Sequence, residues 1–209
     1  MIPPSPLIAR VATYYEGKLT AHGPTPAGVD WNSEASQTLR FRHLLRIIDR
    51  DEPPDTINDF GCGYGALADY LAATHPGWAY RGFDASPRMI ETAQRVHAGN
   101  ADRFFTDDRA SLAKARYTVA SGIFNVKLDF PDEEWTQYMV ATLDALAALS
   151  SGGFAFNVLT AYADPAHRRS DLYYADPHAL FAHCRSQYSP RIALLHDYPL
   201  FEFTILVRF

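Results

Sequence analysis

Three alternate glycines directly after a short apolar segment constrain this chain more than any other feature. The run Asp59-Phe60-Gly61-Cys62-Gly63-Tyr64-Gly65 begins in the last two residues of a strand predicted at residues 56–60 and ends just before a helix predicted at residues 66–75. Glycines let the backbone turn tightly and let a ligand approach it closely, and the following helix presents the positive end of its dipole. Because ligands of open α/β sheets bind beyond the carboxyl ends of the strands, the loop predicts a ligand site at that edge.

Strand and helix patterns alternate along the rest of the chain, which predicts a parallel sheet with helices on both faces. Further strands are predicted at residues 79–83, 103–106, 117–120, 154–159, 192–195 and 203–208, and further helices at residues 86–97, 132–149 and 176–185. The segment between the last two strands is too short for a helix, so this pair should be antiparallel. The expected fold class is α/β, with seven strands in a mixed, mostly parallel sheet whose last strand is antiparallel.

The first part of the chain has a different pattern and is expected to form a helical cap at residues 1–52. Helices are predicted at residues 7–18 and 34–49, and the second has apolar residues at helical spacing. No internal repeat divides the rest. We therefore expect a single domain at residues 1–209, with a ligand-binding core at residues 53–209.

Capping residues and glycines indicate where the predicted helices and strands begin and end. Ser33 is expected to cap the second helix. Ser86 and Asp176 are expected to cap two later helices, each with a proline at the first helical position. The run Ser150-Ser151-Gly152-Gly153 indicates a break in regular structure.

Composition excludes several classes of partner. The formal net charge is −5 and no basic stripe is present, which argues against nucleic acid as a partner. No apolar run approaches the ~18–20 residues that a membrane span needs, and Met1-Ile2-Pro3-Pro4-Ser5-Pro6 lacks the pattern of a signal peptide. Two cysteines, Cys62 and Cys184, do not suggest a disulfide framework. We expect a cytoplasmic monomer or homodimer with no nucleic-acid or membrane partner.

Acidic residues follow the second and third predicted strands. Asp84 ends the second strand, where a carboxylate can accept hydrogen bonds from both hydroxyls of a ribose. Asp107, with Asp108 as the second choice, ends the third strand, where a carboxylate can accept a hydrogen bond from an adenine amino group. Ala85 and Met89 lie nearby in sequence and are expected to press on the adenine face. The glycine loop and these residues together predict a nucleoside site.

This arrangement resembles the class I S-adenosylmethionine-dependent methyltransferases, which have a Rossmann-like sheet. The resemblance rests on the D-x-G-x-G-x-G loop and on Gly82-Phe83-Asp84-Ala85-Ser86, and it extends over residues 56–209. It implies that S-adenosylmethionine is the cofactor and that the protein is a methyltransferase acting on a small molecule. The cofactor-binding residues that it implies are Asp59, Gly61, Gly63, Asp84, Ala85, Met89 and Asp107, with the two glycines along the methionine part.

The carboxylate of the methionine part also needs a partner. Arg40, on the second helix of the cap, is a candidate because a guanidinium can pair with a carboxylate through two hydrogen bonds. The alternative is that Arg40 is a solvated surface arginine.

The resemblance also implies an acceptor site over the ends of the fourth and fifth strands and beneath the cap. The candidate catalytic residues are His196, whose ordinary pKa lies near neutrality, Tyr173, and Asn125 in the segment after the fourth strand. His196 could instead be a satisfied histidine at a strand end, and Tyr173 could only hold a loop in place. Alignment of nucleophile and methyl group can supply most of the catalysis. No metal site is expected, since paired Cys-x-x-Cys and His-Glu-x-x-His motifs are absent.

Other functions remain open at the level of sequence. Gly61-x-Gly63-x-x-Ala66 also satisfies the fingerprint of nicotinamide dinucleotide binding, although Asp59 and the closing pair of strands favour S-adenosylmethionine. A second alternative keeps this cofactor but transfers or cyclises its aminobutyrate chain, which releases 5′-methylthioadenosine. A third is a binding module that has kept the fold without activity. The absence of an Asn-Pro-Pro-Tyr or Asp-Pro-Pro-Tyr stretch argues against a nucleobase or amide nitrogen as acceptor.

Overall fold

One mixed sheet of seven strands dominates the computed structural model, which describes residues 5–49, 51 and 53–209. The strands are β1 (Thr56–Phe60), β2 (Ala79–Phe83), β3 (Arg103–Thr106), β4 (Ala115–Ala120), β5 (Ser150–Leu159), β6 (Ile192–Leu195) and β7 (Glu202–Arg208). Their order across the sheet is β3-β2-β1-β4-β5-β7-β6. Residues 1–4, on which the expectation of no signal peptide partly rests, lie outside the described residues.

The pairing of the strands confirms the predicted fold class. β1 pairs in parallel with β2 and β4, β2 with β3, and β4 with β5. β7 runs antiparallel between β5 and β6. The carboxyl ends of β1 to β5 therefore meet at one edge of the sheet, and the amino end of β7 lies at that same edge.

Six α-helices are found in the described residues, and three of their caps confirm the predictions. The helices are α1 (Pro6–His22), α2 (Glu34–Leu44), α3 (Ala66–Thr74), α4 (Pro87–Val96), α5 (Asp132–Ala148) and α6 (Pro177–Gln187). The side chains of Ser33, Ser86 and Asp176 each accept a hydrogen bond from a backbone N–H in the first turn. α1 is longer than predicted, and α2 ends early because the chain tightens into a 3₁₀ turn at Leu45–Ile47.

The predicted break at Ser150-Ser151-Gly152-Gly153 is wrong, because these residues begin β5. The two glycines allow neighbouring strands to approach closely and do not form a turn. A Cβ atom on Gly153 would collide with the backbone carbonyl of Val207 on β7, and one on Gly152 would lie 2.7 Å from Nε of Arg116 on β4. Glycine inside a strand often marks such an approach.

Two apolar clusters cover the two faces of the sheet. On one face, α2, α3 and α4 contribute Leu44, Leu71 and Ile90 among the buried residues. On the other face, α5 and α6 contribute Leu143 and Leu180. Strand residues alternate between the clusters, as the period of two in a strand requires. No helix within the described residues combines the length and the apolar character that a bilayer crossing requires.

The cap of α6 gives a direct test of the local structure. Asp176 accepts hydrogen bonds from the N–H groups of His178 and Ala179 at 2.8 and 3.1 Å. Asp176→Ala should lower the free energy of unfolding by about 1 kcal/mol, because both N–H groups lose their partner. Asp176→Asn retains an acceptor and should remain close to wild type. Urea denaturation measures both variants, and an alanine variant as stable as wild type would contradict the assignment.

Candidate functional site

The loop between β1 and α3 turns sharply because three of its residues adopt left-handed backbone angles. φ is 84° at Gly61, 54° at Gly63 and 86° at Gly65, a region that glycine enters without steric cost. The N–H groups of Gly61 and Cys62 both donate to the carbonyl of Phe83, at 2.7 and 2.9 Å. The loop is thereby fixed against the end of β2, with a backbone surface that carries no Cβ atoms at its glycines.

Asp84 joins this loop to the start of α4. Its Oδ2 accepts the N–H of Gly63 at 2.8 Å, and its Oδ1 accepts the N–H of Ser86 at 2.9 Å. Burial raises the pKa of this carboxyl group, and the charge of Glu16 adds to the rise, against the lowering effect of the two N–H donors. Ser86 Oγ in turn donates to Glu16 Oε1 on α1 at 2.7 Å. Each carboxylate oxygen of Asp84 can accept a second hydrogen bond.

Asp59 lies beneath the loop and is 3% exposed. Its Oδ2 accepts the hydroxyl of Tyr80 at 2.6 Å, whereas its buried Oδ1 has no partner within the described residues. Burial raises the pKa of Asp59 to about 7, with a further rise from Asp84 and a lowering by the Tyr80 hydrogen bond. An unpaired buried oxygen is costly, so this position can accept a hydrogen bond from a bound water or ligand.

The residues predicted around the adenine are not equally available. Asp107 is exposed and makes no side-chain hydrogen bond or ion pair in the part of the chain that the structure describes. Asp108 instead accepts from the Ala110 N–H at 3.1 Å and from a neighbouring serine hydroxyl, so its carboxylate is committed to the turn. Ala85 is half-buried at the edge. Met89 is 1% exposed, so its side chain is packed inside the protein.

The sequence interpretation missed residues of α1 and of the turn after it that cover this edge. The Tyr14 hydroxyl donates to Asp30 at 2.6 Å, and Lys18 pairs with the same carboxylate at 2.7 Å. Asp30 has a φ of 62°, which is uncommon for a residue other than glycine. Burial raises the pKa of the adjacent Tyr15, with contributions from Asp30, Tyr14 and Asp84. Helical spacing alone could not reveal these contacts, because they depend on how the turn after α1 folds back against that helix.

The turn after β4 forms the opposite wall of the site. Gly122 has a φ of 73°, and a Cβ atom there would collide with the ring of Trp31. A Cβ atom on Gly63 would lie 3.0 Å from Val29 Cγ1, so the same segment of the cap packs against both glycine turns. Ser121 Oγ is buried beside this turn and has no partner within the described residues.

Arg40 is buried, which rules out the alternative of a solvated surface arginine. It is 7% exposed, its Nε donates to Glu202 Oε2 at 2.8 Å, and its Nη1 donates to the carbonyl of Ser36 at 2.9 Å. The guanidinium also lies over the ring of Trp31, 3.9 Å from the centroid. No partner for Nη2 is found among the described residues, so the predicted contact to a cofactor carboxylate stays a prediction.

Two of the three predicted catalytic residues come together at the end of β4. The N–H of Asn125 donates to the carbonyl of Gly122 at 3.2 Å, and its own carbonyl accepts the N–H of Tyr173 at 2.8 Å. Asn125 Oδ1 accepts the N–H of Leu159 at 3.2 Å. The Tyr173 hydroxyl lies 2.9 Å from Thr136 Oγ1. Asn125 thus connects the turn after β4 with the end of β5, where the acceptor was expected, and Tyr173 joins this turn to α5.

His196 is not brought to this position. It follows β6 at the outer edge of the sheet, three strands from β4 and four from β1, which corresponds to about 14 and 19 Å at the usual strand spacing. Its ring stacks on Tyr162 with 6.0 Å between centroids and meets Phe203 edge-on at 5.9 Å. The order of strands in the sheet, which no local pattern indicates, accounts for this separation.

The edge of the sheet suits a nucleoside that carries an amino acid. It offers bare glycine backbone, the spare acceptor capacity of Asp84, the exposed Asp107, and unpaired buried oxygens on Asp59 and Ser121. Two surface cavities lie elsewhere: one of about 330 Å³ contains Asp49, Arg191 and Phe209, and one of about 520 Å³ lies along α2. Within the described residues, no group of three or more His, Cys, Asp or Glu is placed to hold a metal.

Sequence comparisons point to one family. The sequence model of a family described as "Methyltransferase domain" matches residues 58–154. The protein named "Putative methyltransferase Rv1506c" from Mycobacterium tuberculosis (strain ATCC 25618 / H37Rv) is 51% identical over 164 residues. That match covers 78% of this chain and 98% of the relative.

Solved structures with the same fold include two methyltransferases with bound S-adenosylhomocysteine (SAH). Magnesium protoporphyrin IX methyltransferase (ChlM) from Synechocystis PCC 6803 has a TM-score of 0.65 at 17% identity, over 96% of this chain and 98% of its own. N-methyltransferase NodS from Bradyrhizobium japonicum WM9 has a TM-score of 0.66 at 14% identity, over 94% and 97%. At such identities the likeness concerns the fold.

The pKa of Asp59 predicts how stability depends on pH. The folded-state pKa of about 7 lies above the ordinary value of 3.8, so between these values the folded chain holds a proton that the unfolded chain has lost. The free energy of unfolding should therefore fall as the pH rises from about 4 to about 7, by at most about 4 kcal/mol from this group. Asp59→Asn removes this titration and should flatten the curve.

Urea denaturation at a series of pH values from 4.5 to 8 measures the effect. Asp102→Asn, at an exposed position, is the matched control and should follow the wild-type curve. Parallel curves for wild type and Asp59→Asn would show that the Asp59 carboxyl group has no raised pKa.

Proposed function

The chain belongs to the class I S-adenosylmethionine-dependent methyltransferase family, and we propose that it transfers the methyl group of this cofactor to a small-molecule acceptor. The observation that carries the proposal is Asp84, a half-buried carboxylate that holds the glycine loop through the Gly63 N–H at 2.8 Å. One solved neighbour is named for magnesium protoporphyrin IX, a small molecule, which supports this class of acceptor. Because the relatives are methyltransferases, the alternative of a nicotinamide dinucleotide cofactor is set aside.

In this proposal each part of the cofactor has its own partners. Asp84 accepts the ribose hydroxyls, and Asp107 rather than Asp108 accepts the adenine amino group because its carboxylate is not engaged in the turn. The half-buried Ala85 lies against the adenine. Arg40 pairs with the methionine carboxylate; its Nη2, which has no partner among the described residues, is available to donate this hydrogen bond. The remaining members of the predicted set are Asp59, Gly61, Gly63 and Met89, of which the glycines leave room for the methionine part and Met89 supports the site from within.

The acceptor is proposed to bind between the turn after β4 and the cover formed by α1. S-adenosylmethionine supplies an already activated methyl group, so the protein has to align the nucleophile and exclude water. Asn125 and Tyr173 shape the acceptor side, because Asn125 connects the ends of β4 and β5 and Tyr173 donates its N–H to the Asn125 carbonyl. We do not assign the role of general base to His196, since about 14 Å separates its strand from β4.

We further propose a cytoplasmic location for this enzyme, as a monomer or homodimer. Both cysteines are free and buried, which suits a reducing compartment. The net charge of −5 disfavours nucleic acid as the acceptor.

Asp84→Asn tests the site. The amide keeps the shape of the side chain but loses the charge and one acceptor, so the affinity for S-adenosylhomocysteine should fall by about tenfold or more. Isothermal titration calorimetry measures the change. Asp108→Asn is the matched control and should bind like wild type, because an asparagine still fits the turn. Equal affinities of Asp84→Asn and wild type would contradict the assignment.

Product analysis tests the reaction. The protein is incubated with S-adenosylmethionine and fractionated small-molecule extracts, and the nucleoside product is identified by mass spectrometry. Methyl transfer yields S-adenosylhomocysteine and an acceptor heavier by one CH₂ group. Release of 5′-methylthioadenosine would instead indicate transfer or cyclisation of the aminobutyrate chain and would overturn the proposed reaction.

A further inference from the structure

Glu202 is a buried carboxylate that neither the glycine loop nor the strand-end acids explain. It is the first residue of β7, its exposure is 0%, and Arg40 Nε donates to its Oε2 at 2.8 Å. The Tyr198 hydroxyl donates to its Oε1 at 3.5 Å and lies 2.9 Å from Thr204 Oγ1. Because β7 is antiparallel, its first residue lies at the edge where the parallel strands end.

Asn157 extends this contact to the turn after β4. Its Nδ2 donates to Glu202 Oε1 at 3.3 Å, and its Oδ1 accepts the N–H of Gly122 at 2.7 Å. Asn157 is also fully buried. One amide side chain on β5 therefore connects the carboxylate on β7 with the backbone of the turn that forms a wall of the site.

The same groups are connected a second time through the cap. The ring of Trp31 covers Gly122 so closely that a Cβ atom would not fit, and the Arg40 guanidinium lies 3.9 Å from the centroid of that ring. Arg40, Glu202, Asn157, Gly122 and Trp31 thus form a closed ring of contacts. We call this set the Glu202 ring.

Fold stability alone is a weak reason for this arrangement. Burial raises the pKa of Glu202, although Arg40, Tyr198 and Asn157 each lower it, so the interior position of this carboxyl group has a desolvation cost. Buried ion pairs are often no more stable than apolar residues of similar volume, whereas removal of one partner is costly. What the ion pair does provide is one fixed orientation of the guanidinium.

We propose that Glu202 and Asn157 are positioning residues for the amino-acid end of the cofactor. They hold the Arg40 guanidinium and the Gly122 turn in a fixed relation, so that the remaining Nη2 donor of Arg40 faces the methionine carboxylate. The inference rests on the proposed function, since it takes S-adenosylmethionine to bind at this edge. It predicts that a change in the Glu202 ring alters the affinity for the amino-acid part of the ligand and leaves the affinity for the adenosine part unaffected.

Two ligands separate these parts. S-adenosylhomocysteine carries adenosine and the amino acid, whereas 5′-methylthioadenosine carries adenosine and a thioether but no carboxylate or ammonium group. Glu202→Gln should weaken binding of S-adenosylhomocysteine by about tenfold to a hundredfold, the usual range for a charge-assisted hydrogen bond. Its affinity for 5′-methylthioadenosine should stay within about twofold of wild type. Calorimetry measures the first ligand, and ligand-observed NMR titration measures the second, weaker one.

Two further variants keep the test decisive. Glu202→Asp retains the charge on a shorter side chain and should recover part of the lost affinity for S-adenosylhomocysteine; it carries the comparison if Glu202→Gln does not fold. Glu133→Gln, at an exposed position on α5, is the matched control and should bind both ligands like wild type.

The outcomes distinguish this inference from the proposed function. A similar loss for both ligands in Glu202→Gln would show that the ring supports the fold as a whole and would overturn the positioning role. Unchanged affinity for both ligands would overturn it as well. Wild-type protein that binds neither ligand would overturn the proposed function itself, and the inference with it.

Discussion

The carboxylate of Asp84 is the interaction on which the candidate site depends. It accepts one N–H from the glycine loop and another from the start of α4, and the Ser86 hydroxyl then connects α4 to Glu16 on α1. The glycine loop, α4 and α1 are therefore fixed relative to one another through Asp84 and Ser86. Burial makes an unpaired carboxylate costly, so the two backbone N–H donors are needed to stabilise Asp84 even when no ligand is bound. The geometry of the candidate site follows from Asp84, and the position of α1 over it follows from the neighbouring Ser86.

Much of the fold could be predicted from local chemistry. The seven strands, the caps at Ser33, Ser86 and Asp176, and the antiparallel final pair follow from spacing and from the properties of single residues. Glycine was informative at the β1 loop, where positive φ angles require it. At Gly153 the same residue type was misleading, because its reason is a carbonyl on a strand far along the chain. A turn and a close approach of two strands both select glycine, and sequence alone does not separate them.

The candidate site could be predicted only in part, for the same reason. Asp84 and the glycine loop are close in sequence, so a motif contains both. Arg40 and Glu202 are 162 residues apart, and nothing near either residue indicates the other. His196 was a reasonable candidate by residue type, yet the order of strands puts it at the outer edge. The contact of Tyr14 with Asp30 depends on how the turn after α1 folds back against that helix, which has no local signature.

The reversed direction of β7 has a consequence for how mutations along that strand should be tolerated. In an all-parallel sheet, only residues at the carboxyl ends of strands reach the ligand edge. Here one strand delivers its amino end to that edge with Glu202, while its later residues, such as Ile205 and Val207, only fill the apolar interior. Hydrophobic exchange should therefore be acceptable along most of the strand and abruptly intolerable at its first position. Relatives would then exchange one apolar residue for another at the later positions of β7 and keep the residue at the position of Glu202.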